Sequence, residues 1–175
     1  MAEIVDHPAK REGISLPALL NASHDCGAFD CGNVALNDWL KLRAFKGQGR
    51  TARTYVVCEG AKVIGYYCIL SGGIERSELP KSLKEHGLPN HIPVAIIGRL
   101  ARDLSYKGSG LGLDLLQDAL TRIALASQTI GIRCVLAHAI DDKAARFWKD
   151  NEFIESPLGS RTFYLPIETI IDGLG

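Results

Sequence analysis

The chain carries no run of about 18 apolar residues, so it has no stretch suited to a membrane-spanning helix. Its start, MAEIVDHPAKREG, lacks the apolar centre of a secretory signal, and the cytoplasm is the expected compartment. No C-x-x-C occurs and no histidine pair stands at zinc-ligand spacing, which argues against a metal site. The five cysteines, at 26, 31, 58, 68 and 134, are odd in number and scattered, so reduced thiols are expected rather than disulfides. Cys58, Cys68 and Cys134 fall in apolar strand-like runs, where cysteine acts as a small core residue. Net charge is missing as well: Lys and Arg number 20, as do Asp and Glu, so a nucleic-acid contact has to come from a local basic patch. What is present, 46% apolar and 23% charged residues over 175 positions, suits one globular domain with a single core, spanning 1–175.

Taken in order, ISLPALL (14–20) predicts a first strand that Pro17 demotes to an edge or irregular piece. Asn33 is placed to cap a helix over 34–46, with Leu36, Trp39, Leu40 and Ala44 as its apolar stripe. The other face bears Lys41, Arg43 and Lys46, and the following loop adds Arg50 and Arg53. Such a run is either solvated surface or the footprint of a phosphate backbone. RTYVVCEGAKVIGYYCILSGG predicts a hairpin: strand 53–59, turn Glu59-Gly60-Ala61-Lys62, strand 63–71. Residues 72–93, broken by glycine and three prolines, predict a short helix and a loop, lining a cleft or crossing the surface.

The stretch from Val94 to Ile130 organises the rest. An apolar strand over 94–103 passes through a loop with glycines at 108, 110 and 112 into a helix from Leu111 to about Ile130. That helix sends Leu113, Leu116, Leu120, Ile123, Ala124 and Ala126 toward a core and stops near Gly131. Backbone N–H groups at a helix start have no intrahelical partner and carry the positive end of the dipole, and glycines let a phosphate come close. The loop is therefore a candidate pyrophosphate cradle. Its spacing is neither the dinucleotide G-x-G-x-x-G nor a P-loop. A strand over 132–140 follows, then the helix KAARFWKDN capped by Asp141 or Asp142, strands in EFIESP and SRTFYLPI, and a closing ETIIDGLG as short helix or frayed tail.

Lys107-Gly108-Ser109-Gly110-Leu111-Gly112 resembles the acetyl-CoA loop Q/R-x-x-G-x-G/A of the GNAT N-acetyltransferases, with Lys107 where Gln or Arg is usual. The resemblance implies an α+β GNAT fold: a mixed, mostly antiparallel sheet with helices on both faces, splayed where acetyl-CoA lies. It implies that the pantetheine pairs with the backbone of Leu100, Ala101 and Arg102 and that the pyrophosphate rests on 107–112.

A closer similarity runs along nearly the whole chain. FDCGNVALNDWL, RTYVVCEG, VIGYYCILSG, IGRLARD, GSGLGLDLLQDAL and VLAHAIDDKAARFW resemble the GNAT toxins of type II toxin-antitoxin systems. Those toxins acetylate the α-amine of aminoacyl-tRNA, block translation, and pair with a ribbon-helix-helix antitoxin. The resemblance implies Arg99 near the acceptor and a tRNA contact by Lys41, Arg43, Lys46, Arg50 and Arg53. It leaves open whether the chain forms a homodimer.

One position departs from the pattern. The family's helix motif A-x-x-F-Y ends in a tyrosine that protonates the departing CoA sulfur, and this chain reads Ala144-Ala145-Arg146-Phe147-Trp148. An indole N–H donates a hydrogen bond but has no accessible proton-transfer pKa. Trp148 then either faces the sulfur or packs in the core, and the acid is water, another side chain such as Tyr106 or Tyr164, or none, with positioning alone supplying the rate. Three readings remain: an active acetyltransferase toxin, an acetyltransferase for another amine, and an acyl-CoA-binding module without turnover.

Overall fold

The computed structural model describes residues 12–174. Its strands are β1 (Ala18–Leu19), β2 (Arg53–Glu59), β3 (Lys62–Glu75), β4 (His91–Arg102), β5 (Cys134–His138), β6 (Ile154–Glu155) and β7 (Thr162–Pro166). They form a mixed seven-stranded sheet in the order β1-β2-β3-β4-β5-β7-β6. The β4–β5 ladder is parallel, from Val94↔Cys134 to Ile97↔Ala137, while β1–β2, β2–β3, β5–β7 and β6–β7 run antiparallel. With the helices this is the α+β architecture expected from the sequence. Contacts divide the described chain into two compact units, one of residues 12–70 and 98–119, the other of 71–97 and 120–174.

The first unit is centred on Leu20, Phe29, Leu40, Ala44, Val56, Cys58, Val63, Tyr66 and Ala101. Pro17 leaves only Ala18 and Leu19 to pair with β2, so the expected strand over 14–20 shrinks to a two-residue edge. Asn33 caps α1 (Val34–Trp39), its side chain accepting from the Leu36 amide at 3.1 Å. The helix continues through a π turn, Leu40–Ala44, into α2 (Phe45–Gly47), so the span agrees with expectation but its middle is wider than an α-helix. Gln48 closes it: its amide donates to the Thr54 carbonyl at 2.9 Å and accepts from the Thr54 amide at 2.7 Å, adding a rung beside β2.

The second unit is centred on Ile74, Leu79, Leu83, Ile92, Val94, Cys134, Leu136 and Tyr164. The expected short helix in 72–93 is replaced by two 3₁₀ turns, Arg76–Glu78 and Lys81–Leu83. Pro80 separates them, because the residue before a proline avoids helical ψ and Leu79 is extended at ψ 139°. Leu79 and Leu83 are buried, so the segment supplies part of a core instead of crossing the surface. Arg133 ties it to the chain end: its guanidinium donates to the Leu83 carbonyl at 3.2 Å and meets Glu85 at 3.1 Å and Glu168 at 3.0 Å. Glu168 opens α5 (Ile167–Leu174), the helical alternative for the closing segment.

The long helix after the glycine loop, α3, runs Leu111–Ser127 and buries Leu111, Leu115, Leu116, Ala119, Leu120, Ile123 and Ala124. Leu113 is half-buried and Ala126 exposed, against expectation, because the inward stripe is turned toward Leu115 and Ala119. Asp141, not Asp142, caps α4 (Asp142–Asp150), accepting from the Ala144 amide at 2.7 Å. All five cysteines are free thiols, and burial pushes Cys58 up to about 11 and Cys134 to about 12. Among the described residues no helix is long and apolar enough to cross a membrane.

Candidate functional site

In the first unit, β4 ends in a knot centred on Asp103. Its backbone N–H donates to the Ile64 carbonyl at 2.8 Å, and its carboxylate accepts from the Ser105 amide at 3.0 Å, the Ser105 hydroxyl at 2.6 Å and the Asp30 amide at 3.0 Å. Burial acts to raise this carboxyl, but the Ser105 hydroxyl and the Asp30 and Ser105 amides outweigh it and hold the group below the usual carboxylate range. Asp103 thereby caps the turn Leu104–Tyr106 that launches the glycine loop. It was not singled out from the sequence, although Asp-x-Ser is a recognisable turn signal.

The loop itself needs glycine. Gly108 and Gly110 adopt φ of 76° and 82°, the left-handed region that costs other residues energy. Ser109 donates its amide to the Tyr106 carbonyl at 3.1 Å and accepts from the Leu111 amide at 3.3 Å. The Asp114 amide bonds the Gly110 carbonyl at 3.1 Å, so the amides of 111–113 precede it at the head of a 17-residue helix. Lys107 is exposed beside them. A helix start of this kind can take an anion. Tyr106 donates its hydroxyl to Glu59 at 2.5 Å, and that bond first, then burial, holds the phenol above its usual range.

Arg99, on the same strand, meets a residue that the sequence did not connect with it. Its guanidinium carbon stands 4.4 Å from the centroid of the Trp39 ring. Trp39 stacks on Tyr66, with centroids 6.0 Å apart and rings inclined by 12°, and the Tyr66 hydroxyl donates to the Leu36 carbonyl at 2.7 Å. Lys41, Arg43, Lys46, Arg50 and Arg53 are all exposed. Arg53 lies across Gly49, where a Cβ would come within 2.8 Å of its guanidinium nitrogen.

In the second unit, Trp148 on α4 is 5% exposed and its ring packs 4.9 Å from Phe153 and 5.1 Å from Phe147. Tyr164, weighed as an alternative acid, is a core residue at 1% exposure whose phenol burial pushes to about 12. At the carboxyl end of β5, His138 Nδ1 lies 3.0 Å from Thr162 Oγ1, which lies 2.8 Å from Ser160 Oγ. Their juxtaposition follows from the β5–β7 register, His138↔Thr162, which local sequence does not determine.

No family model matches the chain. Over 147 residues it is 35% identical to the "tRNA-acetylating toxin" of Mycobacterium tuberculosis (strain ATCC 25618 / H37Rv), covering 83% of this chain and 87% of that protein. The chain belongs to the tRNA-acetylating toxin family. A second relative in this toxin family, the "Probable toxin TacT" of Sinorhizobium fredii (strain NBRC 101917 / NGR234), is 35% identical over 164 residues, 87% of this chain and 90% of that protein. Solved structures agree. AtaT complexed with acetyl-methionyl-tRNAfMet matches with a TM-score of 0.83 and 30% identity, covering 90% of this chain and 97% of that one. AtaTR bound with AcCoA matches at 0.80 and 30%, covering 92% and 98%. A tyrosine-to-phenylalanine mutant AtaT toxin bound to the C-terminus of the antitoxin AtaR matches at 0.78 and 27%, covering 91% and 96%.

Proposed function

We propose that this protein is the toxin of a toxin-antitoxin pair and transfers the acetyl group of acetyl-CoA to the α-amine of aminoacyl-tRNA, blocking translation in the cytoplasm. The observation that carries it is the 35% identity to a tRNA-acetylating toxin over 87% of that protein's length. AtaT, solved with acetyl-methionyl-tRNAfMet and in AtaTR with AcCoA, supports the same donor and acceptor. AtaT bound to the antitoxin AtaR supports an antitoxin partner, which we take to be of ribbon-helix-helix type. We read 1–175 as one acetyltransferase domain.

Within it, Leu100, Ala101 and Arg102 offer strand backbone to the pantetheine amides, and Lys107, Gly108, Ser109, Gly110, Leu111 and Gly112 hold the pyrophosphate at the head of α3. Acetyl-CoA supplies an activated thioester. The protein's task is then to hold a neutral amine against it and exclude misaligned approach, since positioning alone contributes many orders of magnitude. Trp148 cannot donate a proton to the leaving thiolate. With Tyr106 committed to Glu59 and Tyr164 buried, solvent is the proton source we assign. Lys41, Arg43, Lys46, Arg50 and Arg53 present an exposed basic surface to the tRNA backbone.

The tryptophan favours one second reading, in which the chain binds acetyl-CoA and does not turn it over. Labelled acetyl-CoA with a bulk aminoacyl-tRNA pool, run beside an acetyl-CoA titration, separates the two. Acetylated aminoacyl-tRNA is the expected product. Cofactor binding with no transfer would sink the enzymatic reading.

A further inference from the structure

Arg99 is half-buried three residues before the end of β4, and a guanidinium withdrawn from water ordinarily sits against a carboxylate. Among the described residues its partners are of another kind. One is the face of Trp39, 4.4 Å from the guanidinium carbon. The other is the thiol of Cys68, which stays above its usual range because burial outweighs the opposing charge and hydrogen bonds of Arg99.

A ring face fixes the plane of a guanidinium without cancelling its charge and without taking its N–H donors. Trp39 is itself held, stacked on Tyr66, whose edge meets Phe29 at 5.5 Å and whose hydroxyl is anchored on the Leu36 carbonyl. The result is a planar, charged fork in a set orientation, the arrangement that takes an oxyanion bidentately.

Besides the charge that develops at the thioester, the proposed reaction brings two sources of phosphate, the cofactor and the acceptor. The cofactor's pyrophosphate is assigned to the loop 107–112, beyond Leu100, Ala101 and Arg102. Those three strand steps alone put about 10 Å between Arg99 and the start of the loop turn. The charge at the thioester is the alternative that the test below separates, and the phosphate left for Arg99 is a phosphodiester of the acceptor. The one nearest the amine joins the last two nucleotides of the tRNA 3′ end. Trp39 also lies on the helical segment that carries Lys41, Arg43 and Lys46, so the same element offers basic surface to the tRNA and sets the plane of Arg99.

We propose that Arg99 binds the phosphodiester adjoining the terminal nucleotide of the aminoacyl acceptor, and that Trp39 is the positioning residue that keeps the guanidinium in place for it. This rests on the acetyltransferase reading above and adds to it a phosphate subsite.

The test compares two acceptors of the same amino acid: aminoacyl-tRNA, which has the phosphodiester, and aminoacyl-adenosine, which has the ester and amine but no phosphate. Arg99→Ala should lower kcat/KM for aminoacyl-tRNA by roughly 10- to 100-fold, mostly through KM, as expected for the loss of a charge-assisted hydrogen bond. Its kcat/KM for aminoacyl-adenosine should stay within about twofold of the native value, a change too small for the loss of such a bond. Trp39→Leu should show a weaker form of the same pattern, and Trp39→Phe, which restores a ring face, should recover most of it. If Arg99→Ala also lowers acetyl-CoA affinity, Arg99→Gln, which keeps the stem over Trp39, is read in its place. Equal losses on both acceptors would move Arg99 to the reacting thioester and overturn the phosphate assignment, as would no loss on either. Trp39→Phe as damaging as Trp39→Leu would overturn the positioning role. A native chain that binds acetyl-CoA and acetylates neither acceptor would overturn the acetyltransferase reading itself, and the subsite with it.

Discussion

The phenol of Tyr67 hydrogen-bonds the carboxylate of Asp118, and both side chains are buried. Asp118 stands on the inward stripe of α3 between Leu115 and Ala119, where periodicity calls for an apolar residue. Tyr67 also stacks on Tyr55 with centroids 5.2 Å apart. Tyr67→Phe keeps the ring and removes only the hydroxyl. The expected cost is about 1.5–3 kcal/mol, the range for a hydrogen bond to a charged group, read as a lower urea midpoint. An unchanged midpoint would mean that Asp118 is satisfied without it.

Gly110 sits at φ 82° at the head of α3. Gly110→Ala should cost about 1–2 kcal/mol of stability through the left-handed backbone alone. Gly110→Asp adds a carboxylate where the pyrophosphate is proposed to rest, and should abolish acetyl-CoA binding in a calorimetric titration. Affinity equal to that of Gly110→Ala would remove the loop from the cofactor assignment.

Charge reversal at Arg50 and Arg53 should weaken tRNA binding and flatten its dependence on salt, with acetyl-CoA affinity intact. On duplex nucleic acid, each phosphate that the protein ceases to neutralise takes about 0.9 off the slope of log K against log salt. Binding that ignores salt in the native chain would contradict a phosphate footprint at these exposed residues.

Trp148→Tyr places a phenol at the position that the resemblance gives to the family's acid. Acetyl transfer should rise, toward the roughly 10²-fold that a positioned acid contributes. Its packing against Phe153 predicts some loss of thermal stability in the same variant. A folded variant that binds acetyl-CoA and shows no gain would place residue 148 in the core only.

Acid should loosen the turn below the glycine loop. The Asp103 carboxyl is held below the usual range in the folded chain, so its contribution is present above about pH 3.9, the unfolded value. It is lost as pH falls from there through the folded value. Asp103→Asn should therefore flatten the fall of the denaturation midpoint below about pH 4 while lowering the midpoint at neutral pH. A native and a variant curve of equal slope would show that Asp103 is not held as described.

What was legible from residues alone was local. The strand, glycine loop and helix start within 94–130, the Asn33 cap, the cap at Asp141 or Asp142, and the hairpin at Gly60 depend on neighbours within a few positions, and each is found, although the helix stops at Ser127 and not near Gly131. The family resemblance was legible for the same reason, since it rides on contiguous blocks such as GSGLGLDLLQDAL. The parts that escaped are joined across the chain. Arg99 on Trp39, Asp103 on the Asp30 amide, Tyr67 on Asp118 and His138 beside Thr162 bring together residues that only a tertiary register makes neighbours. Leu79 and Leu83 escaped because prolines around them suggested loop, and a 3₁₀ turn can still bury two leucines.

The outermost strands have a consequence for how this molecule can be gripped. β1 and β6 are two residues long, one following Pro17 and the other shortly before Pro157. A protein that recruits its ligand by laying an extra strand against a bare rim needs several consecutive unpaired amides in line, and neither rim supplies them. Among the described residues, a partner that grips the molecule at β1 or β6 therefore has to be recognised through side chains and helix faces, and the same short rims offer stray chains little template for stacking into fibrils.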